Sequence, residues 1–222
     1  MVRTFLVTEE KKMETFLTQW LLLLAIFSVA VVSPGPDFVM ALQNSLNHGR
    51  RAGIMTAIGF GLGIIVHVAY TLAGLAVLIA HSVVLFSIIK YIGAAYLFYV
   101  GIKALRSSGW KDQVATTGEN LQKKSDLASI RDGFITNVFN PKATLFFLAL
   151  FTQLLTHEMT FLHKFILGGT CVIMVTAWFT GVAVFMTVPA IRAWFSRVSK
   201  WLDRICGVLF IALGLKLAAA RL

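Results

Sequence analysis

Apolar residues in this chain run in long blocks, each closed by a short cluster of charged or turn-forming residues. Six blocks, at roughly residues 16–47, 53–80, 83–105, 132–156, 161–188 and 203–220, approach the ~20 residues a helix needs to cross ~30 Å of hydrocarbon. The one long polar stretch, residues 106–131, holds Ser107-Ser108-Gly109, Thr116-Thr117-Gly118 and Lys123-Lys124, and reads as a surface linker without chemistry of its own. It divides the chain into an N-terminal tail (1–15), a three-span unit (16–105), the linker (106–131) and a second three-span unit (132–222). The pattern predicts an all-α polytopic membrane protein with about six transmembrane helices.

Prolines interrupt the first and fourth blocks. Ser33-Pro34-Gly35-Pro36-Asp37 lies inside the first and Asn140-Pro141-Lys142 inside the fourth. Proline removes a backbone donor and clashes with the preceding turn. In hydrocarbon the freed carbonyls need protein or a water-lined cavity. Pro34, Gly35, Pro36 and Pro141 therefore mark helix breaks inside the bundle. The first block, as one straight helix, would be about 48 Å long, so it tilts, re-enters or begins along the interface. If its first half does not cross, the N-terminus is inside and five spans remain.

The breaks also belong to a repeat. Pro36-Asp37 matches Pro141-Lys142, and Gly101-Ile102-Lys103, closing the third block, matches Gly214-Leu215-Lys216, closing the sixth. Two matches in the same order suggest a duplicated three-span unit. An odd number of spans per unit inverts the second copy, the plan in which secondary transporters set a substrate site on broken helices at the repeat interface.

Composition excludes a soluble fold. Hydrophobic residues make up 58% and charged residues 14%, with mean hydropathy +0.80, whereas a soluble domain carries about a quarter charged residues. The net charge of +10 does not indicate nucleic-acid binding, because the charges lie between apolar blocks. Their placement orients the chain instead. The loops after the first, third and fifth blocks carry twelve Lys and Arg residues, Lys111 among them, and the opposite side seven. This predicts a cytoplasmic linker and an external C-terminus, in the five-span version as well. Residues 16–33 are too long for a signal-peptide core and lack a cleavage site, so they belong to the mature chain. Cys171 and Cys206 fall inside apolar blocks and imply neither disulfide nor metal.

Asp37 is the acid and Lys142 the base placed within hydrocarbon, where a charge costs about 2.5–3.5 kcal/mol on insertion scales. Each lies ten or eleven residues from the cytoplasmic end of its block, which at helical rise puts both roughly 15 Å deep. The two are expected to meet. Residues after a break sit at a fresh helix N-terminus, which favours an anion such as a substrate carboxylate. His67 follows Gly63 by four residues and Gly59 by eight, a small-residue stripe that admits a close helix. Its imidazole is either a hydrogen-bonded core group or a proton relay. Asn44, seven residues beyond Asp37, and Asn137, one turn before Pro141, either bond an amino-acid backbone or patch the broken helices. Asn140 belongs to the second break itself.

No His-Glu-x-x-His, Gly-x-Ser-x-Gly or Walker loop is present, and the histidines (48, 67, 81, 157 and 163) show no metal-binding pairing. Neither an enzyme nor a cofactor is predicted. Without a nucleotide site, transport would run on an ion gradient or by diffusion. A channel-like pore and a non-transporting membrane assembly subunit are the other classes that could use such breaks.

Ser33-Pro34-Gly35-Pro36-Asp37-Phe38 and Asn140-Pro141-Lys142-Ala143, with Ser45-Leu46-Asn47-His48-Gly49, Gly93-Ala94-Ala95-Tyr96-Leu97 and Lys200-Trp201-Leu202-Asp203, resemble the lysine exporter and homoserine/threonine resistance family (LysE/RhtB) of amino-acid effluxers. The resemblance covers nearly the whole chain. Ala177-Trp178-Phe179-Thr180 and Trp201-Leu202-Asp203 look most like its threonine-exporting branch. It implies multi-pass residence in a bacterial inner membrane and export of a small amino acid, threonine- or homoserine-like, in exchange for protons. The lipid bilayer is the surrounding partner, and homo-oligomerisation is compatible with the resemblance. The family's aspartate falls on Asp37 and its lysine on Lys142. Residues 1–13 extend ahead of the usual family start, an extension that start-codon choice would account for.

Overall fold

The computed structural model describes residues 2–81, 83–110, 123–155 and 159–219. Lys111 and His157, as well as Thr116-Thr117-Gly118, lie outside the described residues. Eight α-helices follow one another: α1 (Val2–Val32), α2 (Pro36–His48), α3 (Arg50–His81), α4 (Val83–Leu105), α5 (Asp126–Val138), α6 (Pro141–Leu154), α7 (Phe161–Phe185) and α8 (Pro189–Ala219). Among the described residues, Lys12–Val32, Arg50–Ala73 and Phe161–Phe185 are each long and apolar enough to cross a membrane. The pair α5 and α6, bent by 58° at their junction, adds a fourth, broken candidate.

Both proline motifs are real interruptions. α1 stops at Val32, residues 33–35 cross the gap, and α2 starts with Pro36 in its first turn and Gly35 as its N-cap. Proline is tolerated there because the first helical N–H groups have no intrahelical partner. The second break repeats the device. α5 ends at Val138, and Asn140 caps α6 by accepting the Lys142 N–H on its side-chain oxygen at 3.0 Å, with Pro141 in the first turn.

Two expected boundaries shift. The stretch 106–131 is not all linker: Ser125 accepts the Ala128 N–H, and α5 begins at Asp126. α8 begins at Pro189 rather than near 203, and buries Arg192, Phe195, Ser199 and Asp203 along one side of its first half.

Small residues set the closest crossing. A Cβ on Gly59 would run into the Ile130 carbonyl of α5, and one on Gly133 into the Thr56 carbonyl of α3. The Gly59–Gly63 stripe therefore receives α5, which brings the second break against the middle of α3. Buried phenylalanines fill the centre, with Phe147 stacked on the His67 ring at 5.6 Å and Phe60 edge-on to Phe179 at 4.8 Å.

Candidate functional site

The two breaks open into one shared cavity. Ser33, Gly35 and Asp37 line it from the first break, and Asn137, Asn140 and Lys142 from the second. Phe27, Ile64, Phe146, Phe147 and Phe179 form the apolar wall. Asp37 and Lys142 hold the same place in their respective helices, directly after the first-turn proline.

Asp37 is buried and accepts one amide donor on each oxygen. Asn137 Nδ2 donates to Oδ2 at 2.8 Å and Asn140 Nδ2 to Oδ1 at 3.0 Å. Hydrogen bonds to a charged acceptor are roughly twice as strong as neutral ones, and α2 adds the positive end of its dipole. Both stabilise a carboxylate where hydrocarbon alone would not.

Lys142 is opposed by the dipole of α6, since a cation at a helix N-terminus faces the partial positive charge of the free N–H groups. Its ammonium donates to the Ser33 carbonyl across the gap at 3.2 Å and lies 5.7 Å from the centre of the Phe210 ring. The expected direct pair with Asp37 does not form: no ion pair within 4.0 Å joins them. Nor does one join Lys142 to Asp203 of α8. Asp37 is not the sole buried acid: Asp203 is 6% exposed and accepts the Ser107 hydroxyl at 2.6 Å.

His67 stands behind the site. Its Nε2 lies 3.0 Å from the Asn137 carbonyl, which can only accept, so that nitrogen carries a proton. Nδ1 is 2.8 Å from the Tyr70 hydroxyl, which reaches the Thr144 carbonyl at 3.2 Å. A neutral ring accepts from Tyr70, whereas a charged ring donates to it and turns the phenol toward Thr144. His67 is not among the cavity-lining residues, and its direct effect is to hold Asn137.

Asn44 lies apart from the cavity. It donates to Thr56 Oγ1 at 2.8 Å and accepts from Lys124 at 3.0 Å, while Lys124 also pairs with Asp132. It neither patches the break nor faces the space between Asp37 and Lys142.

Several participants carried no obvious motif. The segment after α4 folds back on α8, with Trp110 N–H donating to Ser199 Oγ at 2.8 Å and Ser196 Oγ donating to the Trp110 carbonyl at 3.0 Å. The Trp110 ring meets Phe38 edge-on at 5.5 Å, directly beside Asp37. Gly109 makes this turn with φ +84°, a left-handed conformation that a side chain resists.

A charged, two-break cavity of this kind suits a translocated solute, and comparison with known proteins points the same way. The family model described as LysE type translocator matches residues 28–221. The threonine efflux protein of Escherichia coli (strain K12) is 29% identical over 193 residues, covering 87% of this chain and 94% of that protein. The homoserine/homoserine lactone efflux protein of Salmonella typhimurium is 31% identical over 205 residues, covering 91% and 97%. An uncharacterized membrane protein of Bacillus subtilis, YrhP, is 28% identical over 199 residues, covering 86% and 94%. No solved structure matches the chain. The family is one of membrane translocators rather than enzymes, and this chain belongs to the LysE type translocator family.

Proposed function

We propose that this protein is a secondary exporter of small amino acids, threonine- or homoserine-like, working from the bacterial cytoplasm and coupled to protons. The observation that carries this reading is one cavity bounded by Asp37 on the first break and Lys142 on the second. An amino acid is a zwitterion, and the cavity offers a carboxylate for its ammonium and an ammonium for its carboxylate. Asn137 and Asn140 hold Asp37 in place, so little ordering is left to the moment of binding. The phenylalanine wall takes the side chain. A proton exchanging with substrate at Asp37 would supply the coupling.

Two inverted three-helix units are the proposed frame, α1–α4 and α5–α8. Each starts with a helix broken before a proline, and matching members pack on each other, α3 on α7 and α4 on α8. Transport would proceed by rocking one unit against the other around the cavity.

Counterflow in proteoliposomes of purified protein tests the proposal. Labelled L-threonine or L-homoserine should accumulate transiently against its gradient when unlabelled substrate is trapped inside, and an imposed pH gradient should drive net flux. A channel-like pore would only dissipate the gradient. Movement of neither amino acid under either driving force would overturn the exporter reading in favour of an assembly role.

A further inference from the structure

The last two turns of α4 leave one helix face uncovered. Tyr99, Ile102, Lys103 and Arg106 stand three, four and seven residues along, which puts them on that face. With Ser107 and Ser108, just beyond the helix end, they line a single open groove. The groove is zoned along its length. Tyr99 and Ile102 form its apolar end, 59% and 42% exposed, and the two cations form the other. Among the described residues, neither Lys103 nor Arg106 has an ion-pair partner within 4.0 Å. The neighbouring acid, Asp203, is buried and taken by the Ser107 hydroxyl.

α8 packs against α4 in the opposite direction and fixes the level of the groove. Gly207 approaches the Gly101 carbonyl, Gly214 the Ala94 carbonyl, and Ser107 bonds Asp203. Arg106 therefore stands level with Arg204. Trp194, Arg197, Trp201, Ile205 and Val208 recur at helical spacing along the exposed side of α8. This stripe changes from tryptophan and arginine to apolar between Trp201 and Ile205, where the Arg204 guanidinium lies 5.1 Å from the centre of the Trp201 ring. On α4 the same change falls between Arg106 and Ile102. Tryptophan and cations at the end of an apolar stripe are the signature of the headgroup layer of a bilayer, and the two helices place it at one level.

We propose that this groove binds an anionic phospholipid, with its phosphate on Lys103 and Arg106 and an acyl chain along Ile102 and Tyr99. The charges are complementary: an arginine takes two phosphate oxygens at once and a lysine adds a compact point charge. The exposed Ser108 hydroxyl is a further donor beside them. Basic sites between membrane helices hold such headgroups. A free anion would use the cations and leave the apolar end empty, so the occupant is the lipid. None of these residues lines the cavity at the two breaks, and the site stands whether or not the exporter reading does.

Native mass spectrometry of the purified full chain in detergent tests the site. The probes are dioleoylphosphatidylglycerol and dioleoylphosphatidylcholine, equal in chains and unequal in charge. Each cation beside an anionic headgroup is worth about fivefold in affinity, so the wild type should bind phosphatidylglycerol at least about tenfold more tightly than phosphatidylcholine. Lys103→Gln with Arg106→Gln should weaken phosphatidylglycerol binding about 10- to 30-fold and leave phosphatidylcholine binding unchanged. Arg50→Gln with Arg197→Gln removes two exposed cations from the same end of the bundle and should weaken it less than about threefold. Equal losses in the two double variants would mean diffuse surface attraction and overturn the site, as would equal binding of the two lipids by wild type. Inorganic phosphate at millimolar concentration should not displace the lipid; displacement would make the ligand a free anion and overturn the lipid assignment. If the Lys103, Arg106 double variant cannot be purified, the single Lys103→Gln and Arg106→Gln variants decide the question, each expected to bind about fivefold more weakly.

Discussion

Gly63→Ala puts one methyl group where α3 touches the second break. Its Cβ would lie 2.5 Å from Asn137 Oδ1, 2.9 Å from Asn137 Cβ and 3.0 Å from Asn137 Cγ. The oxygen could rotate away, but the same carboxamide donates to Asp37 at 2.8 Å, and rotation breaks that bond. The Asn137 Cβ is fixed to the α5 backbone and yields only if the helix moves. If the carboxamide rotates, losing a hydrogen bond to a charged group costs about 1.5–3 kcal/mol; if the helices separate instead, overpacking costs about 1–3 kcal/mol. Alanine returns roughly 0.8–1.0 kcal/mol of helix propensity relative to glycine. The steric cost wins, leaving a net loss of about 1–2 kcal/mol, or several degrees at roughly 2–4 °C per kcal/mol for a chain of this size. Gly169→Ala is the matched control, because nothing lies within 4 Å of its Cβ and only the propensity gain remains. Purified variants are compared by thermal unfolding and by L-threonine counterflow. Gly63→Ala should be destabilised and should lose about tenfold in kcat/KM, one decade per 1.4 kcal/mol, while Gly169→Ala should match or exceed wild type in stability. A Gly63→Ala protein with wild-type midpoint and wild-type flux would refute the claim that this glycine seats Asn137 against Asp37.

Charge reversal separates a direct Asp37–Lys142 bridge from the shared arrangement described above. Removing one partner of a buried ion pair typically costs 3–5 kcal/mol, roughly, so Lys142→Asp alone should reduce folded protein. Combining it with Asp37→Lys should not restore the amount, since the two side chains form no ion pair within 4.0 Å; recovery of both protein level and export would establish a direct bridge. Orientation is checked by fusing the C-terminus to a reporter active only in the cytoplasm, which should stay dark if the linker is cytoplasmic and the C-terminus external, and whose activity would reverse the topology.

The features legible in the sequence were those with a local cause. Proline lacks a donor wherever the chain folds, so Pro36 and Pro141 announced helix starts. The Gly59–Gly63 stripe foretold a close neighbour, because a missing side chain is the condition for a close approach. Depth arithmetic brought Asp37 and Lys142 to one level, and both line one cavity. Depth says nothing of direction around the bundle, however, and direction separates a bridge from two charges on one cavity. The Lys142 side chain turns to Ser33 and Phe210, a choice made by where α8 packs. Asn44 fails for the same reason: it shares a helix face with Asp37, but seven residues along that face meets Thr56 and Lys124. Ser125 and Asp126 are the cap and first-turn acid of α5, masked in the sequence by the polarity of the stretch around them. Asp203 was obscured more deeply. Arg192, Arg197, Lys200 and Arg204 surround it in sequence, and a basic cluster between apolar blocks reads as a loop. α8 nevertheless runs through the cluster, exposing Arg197 and Lys200 while burying Asp203 on its opposite side. An acid at helical spacing from Cys206 and Phe210 carries the signal that charge counting discards. Within a basic helix, a lone carboxylate in phase with the apolar face is the residue to suspect of an internal partner.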